Sequence, residues 1–287
     1  METKTISIVI PCYNEDDTIQ EVIKTIPKID EIREIIIVND GSTDKTAEKA
    51  QESCENIKVI SHTYNIGNGA SVKTGARNAK SDYILFMDGD GQHKSQDILK
   101  LTEFIDKYDM VIGARSENAK VSGYRTLGNQ FLNWLAGYLT GVKILDLTSG
   151  FRLVNREKFL EFYDLYPNQY SYPTTSTMAF LKSGYFIKFV KLDTIEKRKN
   201  GKSGIKPIRD GFKFINIMLK IIILFSPMRF FFPVTLLFFG IFLSTATYQL
   251  INSHKLAGSS IIIFIFTIQI FFIGLVIDQI SYFLRKK

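Results

Sequence analysis

Short apolar runs alternate with helix-like segments through the first half of the chain. Five runs are rich in β-branched and aromatic residues and have the length of buried strands, at 6–10, 34–38, 58–60, 83–87 and 110–112. The segments between them carry helix-start signals, such as Ser42-Thr43-Asp44 before 45–52, where the serine or threonine can cap the first turn. The alternation predicts an α/β fold with a mostly parallel sheet that helices cover on both faces.

Two long apolar runs follow in the second half. Residues 230–254 include no charged side chain, and residues 256–284 include only Asp278. Each run exceeds the roughly 20 apolar residues that a membrane-spanning helix needs, so the pattern predicts two transmembrane helices joined by a turn at 252–258. Residues 1–11 lack the basic start and long apolar core of a signal peptide, so we expect the membrane unit at the C-terminal end.

The segment before the first apolar run has a helical spacing of its own. Apolar residues at 205, 208, 212, 215 and 222 lie on one helical face, and basic residues such as Lys206 and Lys213 lie on the other. This pattern predicts an amphipathic helix in the membrane interface, with packing on a soluble core as the alternative. The predicted organisation is an α/β domain over 1–200, an amphipathic juxtamembrane segment over 201–227 and a two-helix transmembrane hairpin over 228–287.

Charge narrows the classes of partner. The net charge is +7, and the basic excess is concentrated at 197–220, just before the first apolar run. A basic cluster beside a membrane span is typical of binding to anionic lipid, and the interleaved aromatic and basic residues of an RNA-binding surface are missing. Cys12 and Cys54 are too few for a disulfide framework or a cysteine zinc site. We therefore expect membrane lipid, and no nucleic acid, as a partner in a reducing compartment.

Asp88 and Asp90 stand directly after the fourth predicted strand. In a parallel sheet ligands bind at the carboxyl ends of strands, and carboxylates placed there can hold a hard divalent cation against a diphosphate. An isolated Asp-x-Asp pair is common in solvated turns, but its position before Gly91-Gln92-His93 favours a functional role. We expect His93 to cap or support this site, whereas the other two histidines have no ligand-like spacing.

Two further strand ends carry polar side chains. Residues 11–15 follow the first strand, and residues 39–44 follow the second. Acceptor side chains at such positions can bind the edge of a base or a ribose hydroxyl. A turn followed by a helix cap explains the second segment equally well.

Two competing nucleotide motifs are incomplete. Gly67-Asn68-Gly69 lacks the third glycine of a dinucleotide fingerprint, because Val72 stands at its position. Gly201-Lys202-Ser203 resembles the end of a phosphate loop, but Glu196 stands where the first glycine is required. The sequence therefore supports neither a Rossmann dehydrogenase nor a phosphate-loop nucleotidase.

Five segments stand in order along the first part of the chain: Ile8-Val9-Ile10-Pro11-Cys12-Tyr13-Asn14-Glu15, Val38-Asn39-Asp40-Gly41-Ser42-Thr43-Asp44, Asn65-Ile66-Gly67-Asn68-Gly69, Asp88-Gly89-Asp90-Gly91-Gln92-His93 and Leu147-Thr148-Ser149-Gly150-Phe151-Arg152. Together they resemble the dolichol-phosphate mannosyltransferase and bacterial polyprenyl-phosphate glycosyltransferase group. The resemblance runs through residues 1–200, and the C-terminal hairpin is similar to that of the bacterial members. It implies an inverting, metal-dependent enzyme of the GT-A fold, with Mg²⁺ or Mn²⁺ as cofactor. Such an enzyme moves a hexose-type sugar from a UDP- or GDP-linked donor to a polyprenyl phosphate.

The resemblance also implies roles for individual residues. The family carries an arginine, a glycine, a serine and a lysine near the membrane, and Arg198, Gly201 and Ser203 match the first three. Gly204 stands at the lysine position, so Lys202 or Lys206 could take the role of that lysine. The implied nucleotide-sugar contacts are Pro11, Tyr13, Glu15, Asp40 and Asp88; the implied metal ligands are Asp88, Asp90 and Gln92; the implied acceptor-phosphate contacts are Arg115, Arg125, Asn129 and Ser203; and the residues expected to support catalysis most directly are Asp90, Arg115, Arg125 and Arg198.

Arginine suits an acceptor phosphate, because its planar fork binds two phosphate oxygens at once. An arginine here could instead pair with Glu117 or Asp146. Asp146 itself could orient an arginine or the donor sugar, or serve only as a turn residue. A phosphate acceptor is already anionic, so its attack on the sugar needs no strong general base.

Three alternative functions have different requirements. A processive polysaccharide synthase carries a Gln-x-x-Arg-Trp motif, but Asn133 precedes the single tryptophan, Trp134. A synthase acting on a neutral lipid would need a base and would have less use for two arginines. A non-catalytic membrane scaffold would not need the carboxylate pair.

The distribution of basic residues predicts a topology. Lysines and arginines precede the first apolar run, and Arg285-Lys286-Lys287 follow the second, so the positive-inside rule places both termini and the α/β domain in the cytosol, at the plasma membrane. The turn at 252–258 would face the opposite side. A two-span anchor of this kind is also compatible with a small homo-oligomer.

Overall fold

A computed structural model of the 287-residue chain describes residues 3–54, 57–94, 96–115, 123–169, 171–192, 216, 219–220, 222–223 and 226–285. The side chains of 123–129 and 284–285 are outside this description. The chain divides into two compact units, Met1–Ile217 and Met218–Lys287. The predicted amphipathic helix at 205–222 lies almost entirely outside the described residues and stays a prediction.

The first unit is built on a seven-stranded sheet with the order β3-β2-β1-β4-β6-β5-β7. Six strands are parallel, and β6 alone runs against its neighbours β4 and β5. The predicted mostly parallel sheet is therefore confirmed. The strands are β1 Ile6–Cys12, β2 Ile32–Asn39, β3 Ile57–Ser61, β4 Tyr83–Phe86, β5 Met110–Arg115, β6 Arg152–Asn155 and β7 Ile187–Leu192.

Helices lie in the connections between the strands, and the connections from β1 to β2 and from β2 to β3 join parallel neighbours. Apolar residues at helical spacing, such as Ile19, Val22 and Ile23 in the first helix, form the buried faces. The helices are α1 Ile19–Lys24, α2 Thr46–Gln51, α3 Asn68–Asn78, α4 Asp97–Thr102, α5 Gly123–Thr140, α6 Arg156–Glu161 and α7 Tyr172–Lys182, and a short 3₁₀ helix lies at Tyr163–Leu165.

The sheet has an apolar core on each face. Strand β1 shows the division, because Ile8 and Ile10 belong to one core while Val9 belongs to the other. Successive side chains of a strand point to opposite faces, so a strand buried on both sides is apolar throughout. Helix α3 packs close to β1 at Gly75, where an added Cβ would lie 2.2 Å from Cγ1 of Val9.

The start of α2 differs from the prediction. Neither Ser42 nor Thr43 caps the helix; the carboxylate of Asp44 accepts a hydrogen bond from the backbone N–H of Thr46 at 3.0 Å. Ser42 instead accepts a bond from the backbone N–H of Asn14, and Thr43 donates its own N–H to the side chain of Asn14. These two residues join the loop after β2 to the loop after β1 and are not available for the cap.

The second unit consists of α8 (Met228–Ser253) and α9 (Gly258–Arg285). Both are long and apolar enough to cross a membrane, and little of either helix is buried within the molecule. Phe238 packs against Phe266 with ring centroids 5.1 Å apart, and the side chain of Gln249 bonds Ser260 and the backbone N–H of Ala257 at the turn. The two helices and their turn therefore follow the predicted pattern.

Candidate active site

The polar segments that follow the strands meet at one edge of the sheet. Strands β1, β2, β4 and β5 run in the same direction, so their carboxyl ends share that edge. Strand β6 runs the other way, which brings its first residue, Arg152, to the same edge. The sequence elements predicted to bind one ligand are thereby close together.

Asp88 follows β4 after one intervening residue, Met87, and Asp90 stands two residues further on. The Asp88 side chain is half-buried, and Asp90 is buried with its carboxylate accepting the backbone N–H of Gln92 at 3.1 Å. Asp88 lies against the backbone of the loop before β6, because a Cβ added to Gly150 would be 3.3 Å from its Oδ2 atom. The two carboxylates and the amide of Gln92 thus lie in one short turn at the sheet edge.

This donor set can be compared with what a metal requires. Within the described part of the chain, no group of three or more histidine, cysteine, aspartate or glutamate side chains could enclose an ion. Mg²⁺ and Mn²⁺ prefer oxygen ligands, and Mg²⁺ is commonly held by one or two carboxylates together with substrate phosphates. The pair Asp88 and Asp90, with the oxygen of Gln92, therefore fits a metal that binds with a diphosphate better than one that the protein encloses alone.

His93 supports the turn through its ring. The imidazole stacks on Phe151, with centroids 4.8 Å apart and planes inclined by 15°. Burial lowers the pKa of His93 below 6.5, although the charge of Asp90 opposes this shift. Its Nδ1 atom is buried and has no hydrogen-bond partner among the described residues. Burial therefore favours the neutral form of the ring, which packs against Phe151.

Asp40 has a structural function in the loop after β3. Its carboxylate accepts the backbone N–H of Ile66 at 3.0 Å and of Gly67 at 2.7 Å, and it lies 2.7 Å from Nδ1 of His62. The other ring nitrogen of His62 is 2.9 Å from the hydroxyl of Thr74. Asp40 and His62 thus fix the entry to α3, and the contact of Asp40 with a nucleoside stays a prediction.

The loop after β1 presents one exposed aromatic ring. Pro11 is buried at the end of the strand, whereas the Tyr13 side chain is 45% exposed. Glu15 is buried, and its carboxylate accepts the hydroxyl of Thr18 at 3.3 Å. Burial, reinforced by the charge of Glu15 and other carboxylates, raises the pKa of the Cys12 thiol to about 12. Tyr13 is thus exposed whereas Pro11 and Glu15 are buried, and the contact of these residues with a nucleotide-sugar stays a prediction.

Arg115, the last residue of β5, forms a bidentate ion pair with Asp146. Its Nε and Nη2 atoms donate to the two carboxylate oxygens at 2.7 and 3.0 Å, and Nη2 also donates to the hydroxyl of Thr148. Burial raises the pKa of the Asp146 carboxyl, but the hydrogen bonds and charge of Arg115 outweigh burial and hold that pKa below 3.8. Of the roles considered for Asp146, the structure supports that of orienting an arginine.

The pairing does not remove Arg115 from the site. Its side chain remains 34% exposed. Burial lowers the pKa of Arg115. The hydrogen bond and charge of Asp146, followed by the charge of Asp88, outweigh burial and raise that pKa. Of the other predicted acceptor contacts, Arg125 and Asn129 lie in α5 with undescribed side chains, and Arg198 and Ser203 are outside the described residues.

Arg152 was not predicted as a site residue. Its side chain is completely buried, and its guanidinium donates to the carbonyls of Ser149 and Pro173 and to the hydroxyls of Ser176 and Thr177. The signal in the sequence was an arginine directly before an apolar run, in Gly150-Phe151-Arg152-Leu153-Val154. An arginine at that position can be surface-exposed or buried, and only the fold distinguishes the two.

Known proteins share this architecture. The chain is similar in structure to glucosyl-3-phosphoglycerate synthase from Mycobacterium tuberculosis in complex with Mn²⁺, UDP and phosphoglyceric acid, with a TM-score of 0.61 and 20% identity over 76% of this chain and 78% of that one. This likeness confirms the predicted GT-A fold.

Relatives by sequence extend the likeness. The chain is 31% identical over 220 residues to Uncharacterized protein MJ1222 of Methanocaldococcus jannaschii, covering 73% of this chain and 89% of that one. It is also 31% identical over 178 residues to dolichyl-phosphate beta-glucosyltransferase ALG5D of Trichomonas vaginalis, covering 53% and 54%.

Two family models match separate parts of the chain. Residues 226–283, which include most of α8 and α9, match the GtrB C-terminal hairpin. Residues 7–162, which run from β1 through α6, match Glycosyl transferase family 2. Because the second match covers more than half of the 287 residues and includes the strand ends that carry Asp88, Asp90 and Arg115, the chain belongs to glycosyl transferase family 2.

Proposed function

We propose that this protein transfers a hexose-type sugar from a UDP- or GDP-linked donor to a polyprenyl phosphate, with inversion, at the cytosolic face of a membrane. The observation that carries the proposal is the position of Arg115, which a carboxylate orients at the same sheet edge as Asp88 and Asp90. The dolichyl-phosphate acceptor in the name of the Trichomonas relative and the GtrB-type hairpin support a lipid-phosphate acceptor.

The protonation chemistry of the site favours an acceptor that is already an anion. Asp146 is engaged with Arg115 and has a lowered pKa, and Asp40 is engaged with two backbone N–H groups. A carboxylate with a lowered pKa is a poor general base. A phosphate monoester carries a charge of about −1.5 to −2 at pH 7, so its oxygen needs no base to become a nucleophile.

The reaction would proceed by direct displacement. The acceptor phosphate oxygen forms a bond to the anomeric carbon as the bond to the donor diphosphate breaks, and the nucleoside diphosphate leaves as an anion. Attack opposite the leaving group inverts the anomeric configuration. A divalent metal held by Asp88, Asp90 and Gln92 would neutralise charge on the departing diphosphate. Arg115 would orient the acceptor phosphate, with Arg125, Asn129, Arg198 and Ser203 as its proposed partners.

The remaining proposed contacts concern the donor. Tyr13 offers an exposed ring in the loop after β1, which bonds the loop after β2 through Asn14 and Ser42, and Glu15 and Asp40 are the carboxylates of these two loops proposed to meet the donor. With Pro11 and Asp88 they would enclose the nucleotide part of the donor. Both termini would be cytosolic, with the α8–α9 turn on the other side of the membrane.

The proposal is tested with the full-length protein in detergent, Mn²⁺ or Mg²⁺, and a panel of UDP- and GDP-sugars. We expect release of nucleoside diphosphate when undecaprenyl or dolichyl phosphate is added. The matched control is the corresponding polyprenol, which has the same chain and no phosphate. Equal turnover with the polyprenol would show that the acceptor is a neutral lipid and would contradict the proposal.

A pair of variants tests the acceptor site separately. Arg125→Ala and Arg115→Ala should each raise KM for polyprenyl phosphate about tenfold or more, because a charge-assisted hydrogen bond contributes about 1.5–3 kcal/mol. Donor affinity, measured by calorimetry, should change less than threefold. Lysine should restore acceptor use only in part, since it keeps the charge and loses the fork. Equal losses for donor and acceptor would place the acceptor site elsewhere.

A further inference from the structure

Arg152 is a buried cation whose hydrogen-bond acceptors are all neutral. It begins β6 between Phe86 of β4 and Ile112 of β5, and its side chain is fully buried. Among the residues that the structure describes, Arg152 forms no ion pair with a carboxylate. Burying a charge without an anionic partner is costly, so the hydrogen bonds around it must be well formed for the fold to tolerate it.

The hydrogen bonds of Arg152 join two segments that are distant in sequence. Nε donates to the carbonyl of Ser149 at 3.1 Å, and Nη2 donates to the same oxygen. Nη1 donates to the carbonyl of Pro173 at 3.0 Å and to the hydroxyl of Ser176 at 2.7 Å. The guanidinium thus fixes the loop before β6 to the first turns of α7.

Both of these segments lie beside Asp88. The backbone of Gly150 is so close that an added Cβ would be 3.3 Å from Oδ2 and 3.7 Å from Oδ1 of Asp88. The hydroxyl of Tyr172, the first residue of α7, donates to the carbonyl of Gly150 at 3.2 Å. The Tyr172 ring lies under the guanidinium of Arg152, with 5.7 Å between the Cζ atom and the ring centroid. Arg152 therefore supports the surface on which the Asp88 carboxylate rests.

Electrostatic attraction also links Arg152 to Asp88. Burial lowers the pKa of Arg152, while the negative charges of Asp146 and Asp88 oppose that shift. In a region of low dielectric, the attraction between Arg152 and Asp88 acts over more than a contact distance. A cation behind Asp88 would also favour a diphosphate in front of it.

We propose that Arg152 is a positioning residue for the donor diphosphate and its divalent cation, acting through the Ser149–Gly150 loop and Tyr172 on the carboxylate of Asp88. The inference rests on the proposed function, since it assumes that Asp88 meets a metal–nucleotide complex. It predicts that damage to this support weakens binding of metal and nucleotide while leaving acceptor use nearly unchanged.

The central variant is Gly150→Ala, which places a methyl group against Asp88 without touching Arg152. Its matched control is Gly137→Ala in α5, where an added Cβ has the same closest approach, 3.3 Å, but to the carbonyl of Val142. Binding of Mn²⁺ in the presence of UDP, and of GDP in parallel, is measured by calorimetry on the full-length protein. We expect an affinity at least tenfold lower for Gly150→Ala and within twofold of the parent for the control.

Two further variants change the residues that hold the Gly150 backbone in place, Tyr172 and Arg152. Tyr172→Phe removes only the hydroxyl and should lower the affinity for Mn²⁺ with nucleotide about threefold to tenfold. Arg152→Lys keeps the charge and loses the fork, so it should lower that affinity further, at an unchanged KM for polyprenyl phosphate. If Arg152→Lys does not fold, Tyr172→Phe decides the question, because Gly150→Ala acts on Asp88 directly and tests only the last contact of the support.

The outcomes separate this inference from the proposed function. Unchanged Mn²⁺–nucleotide affinity in folded Gly150→Ala and Tyr172→Phe would overturn the positioning role, even if the parent is an active transferase. A KM for polyprenyl phosphate that rises as much as the donor constants would overturn it as well, because the effect would then be general. A parent that binds neither nucleotide with Mn²⁺ and transfers no sugar would overturn the proposed function and the inference together.

Discussion

Replacing Asp146 with asparagine tests whether the ion pair at the end of β5 orients Arg115 for the acceptor. The carboxylate accepts three hydrogen bonds from Arg115 and two from Thr148. Asparagine has the same shape, but its amide nitrogen cannot accept any of these bonds. The substitution therefore removes the charge and about half of the acceptor capacity without creating a cavity.

The expected loss of stability follows from burial. Removing one partner of a buried ion pair costs about 3–5 kcal/mol. The Asp146 side chain is 8% exposed, but that of Arg115 is 34% exposed, and solvent screens part of the released charge. We expect about 2 kcal/mol, which for a domain of this size corresponds to a Tm lower by about 4–8 °C.

The pH dependence gives an internal check. The folded pKa of Asp146 lies below 3.8, so the carboxylate contributes stability that is fully present above the unfolded value and is lost as the pH falls through the folded pKa. The difference in Tm between the parent and Asp146→Asn should be constant from pH 8 to about pH 5 and should shrink below about pH 4. A difference that grows on acidification would contradict this assignment.

Activity distinguishes orientation from stability. Asp146→Asn should lower kcat about tenfold or more at saturating lipid, because Arg115 keeps its charge and loses its fixed geometry. The control is Asp109→Asn, which breaks a comparable pair with Lys158 just before the other end of β5. It should lower Tm by a similar amount and leave kcat unchanged at a temperature where both variants are folded. Equal kcat values for the two variants would refute the reasoning.

Three further outcomes are expected. Asp90→Asn should raise the barrier to transfer by at least about 2 kcal/mol with an unchanged Tm. The control Asp97→Asn, which breaks an ion pair with Lys100, should leave turnover nearly unchanged. Normal turnover of Asp90→Asn at saturating metal would contradict the assignment of Asp90. At pH 8 the folded protein should show one rapidly reacting thiol, the exposed Cys54, because the pKa of buried Cys12 is raised to about 12; two reactive thiols before unfolding would contradict this. A cysteine introduced in the 252–258 turn should react with an impermeant maleimide only from outside intact cells, and labelling from the cytosolic side would reverse the topology.

The sequence predicted the parallel part of the sheet because those strands are buried on both faces. Residues 35–38, for example, are apolar and β-branched throughout, which is typical of a strand buried on both faces. Strands β6 and β7 were not predicted. Strand β6 has four residues and begins with a buried arginine. Strand β7, at 187–192, lies at an edge of the sheet and contains Lys188 and Lys191, which interrupt its apolar pattern.

The site was predictable to the extent that chemistry follows strand ends. The positions of Asp88, Asp90 and Arg115 at one edge follow from strand direction alone. The hydrogen-bond partners of Arg115 and Asp40 do not follow from strand direction. Asp146 is 31 residues from Arg115 and Ile66 is 26 residues from Asp40, and no local sequence pattern specifies contacts over such separations. The cap of α2 was predicted wrongly for the same reason, since Ser42 and Thr43 bond the loop after β1 instead.

The two arginines described at this edge have opposite electrostatic situations, and this separates their chemistry. The charge of Arg115 is compensated by Asp146, so what it offers a ligand is a fixed direction rather than an additional charge. Arg152 has no carboxylate partner among the described residues, and the charge of Asp88 is among those that oppose the lowering of its pKa by burial. A site that joins an anionic acceptor to a diphosphate donor must attract both without fixing them to each other. Arg115, whose charge is compensated, on the acceptor side and Arg152, whose charge is not, behind Asp88 would meet that requirement. The site would then attract the metal-bound diphosphate donor more strongly than the acceptor phosphate.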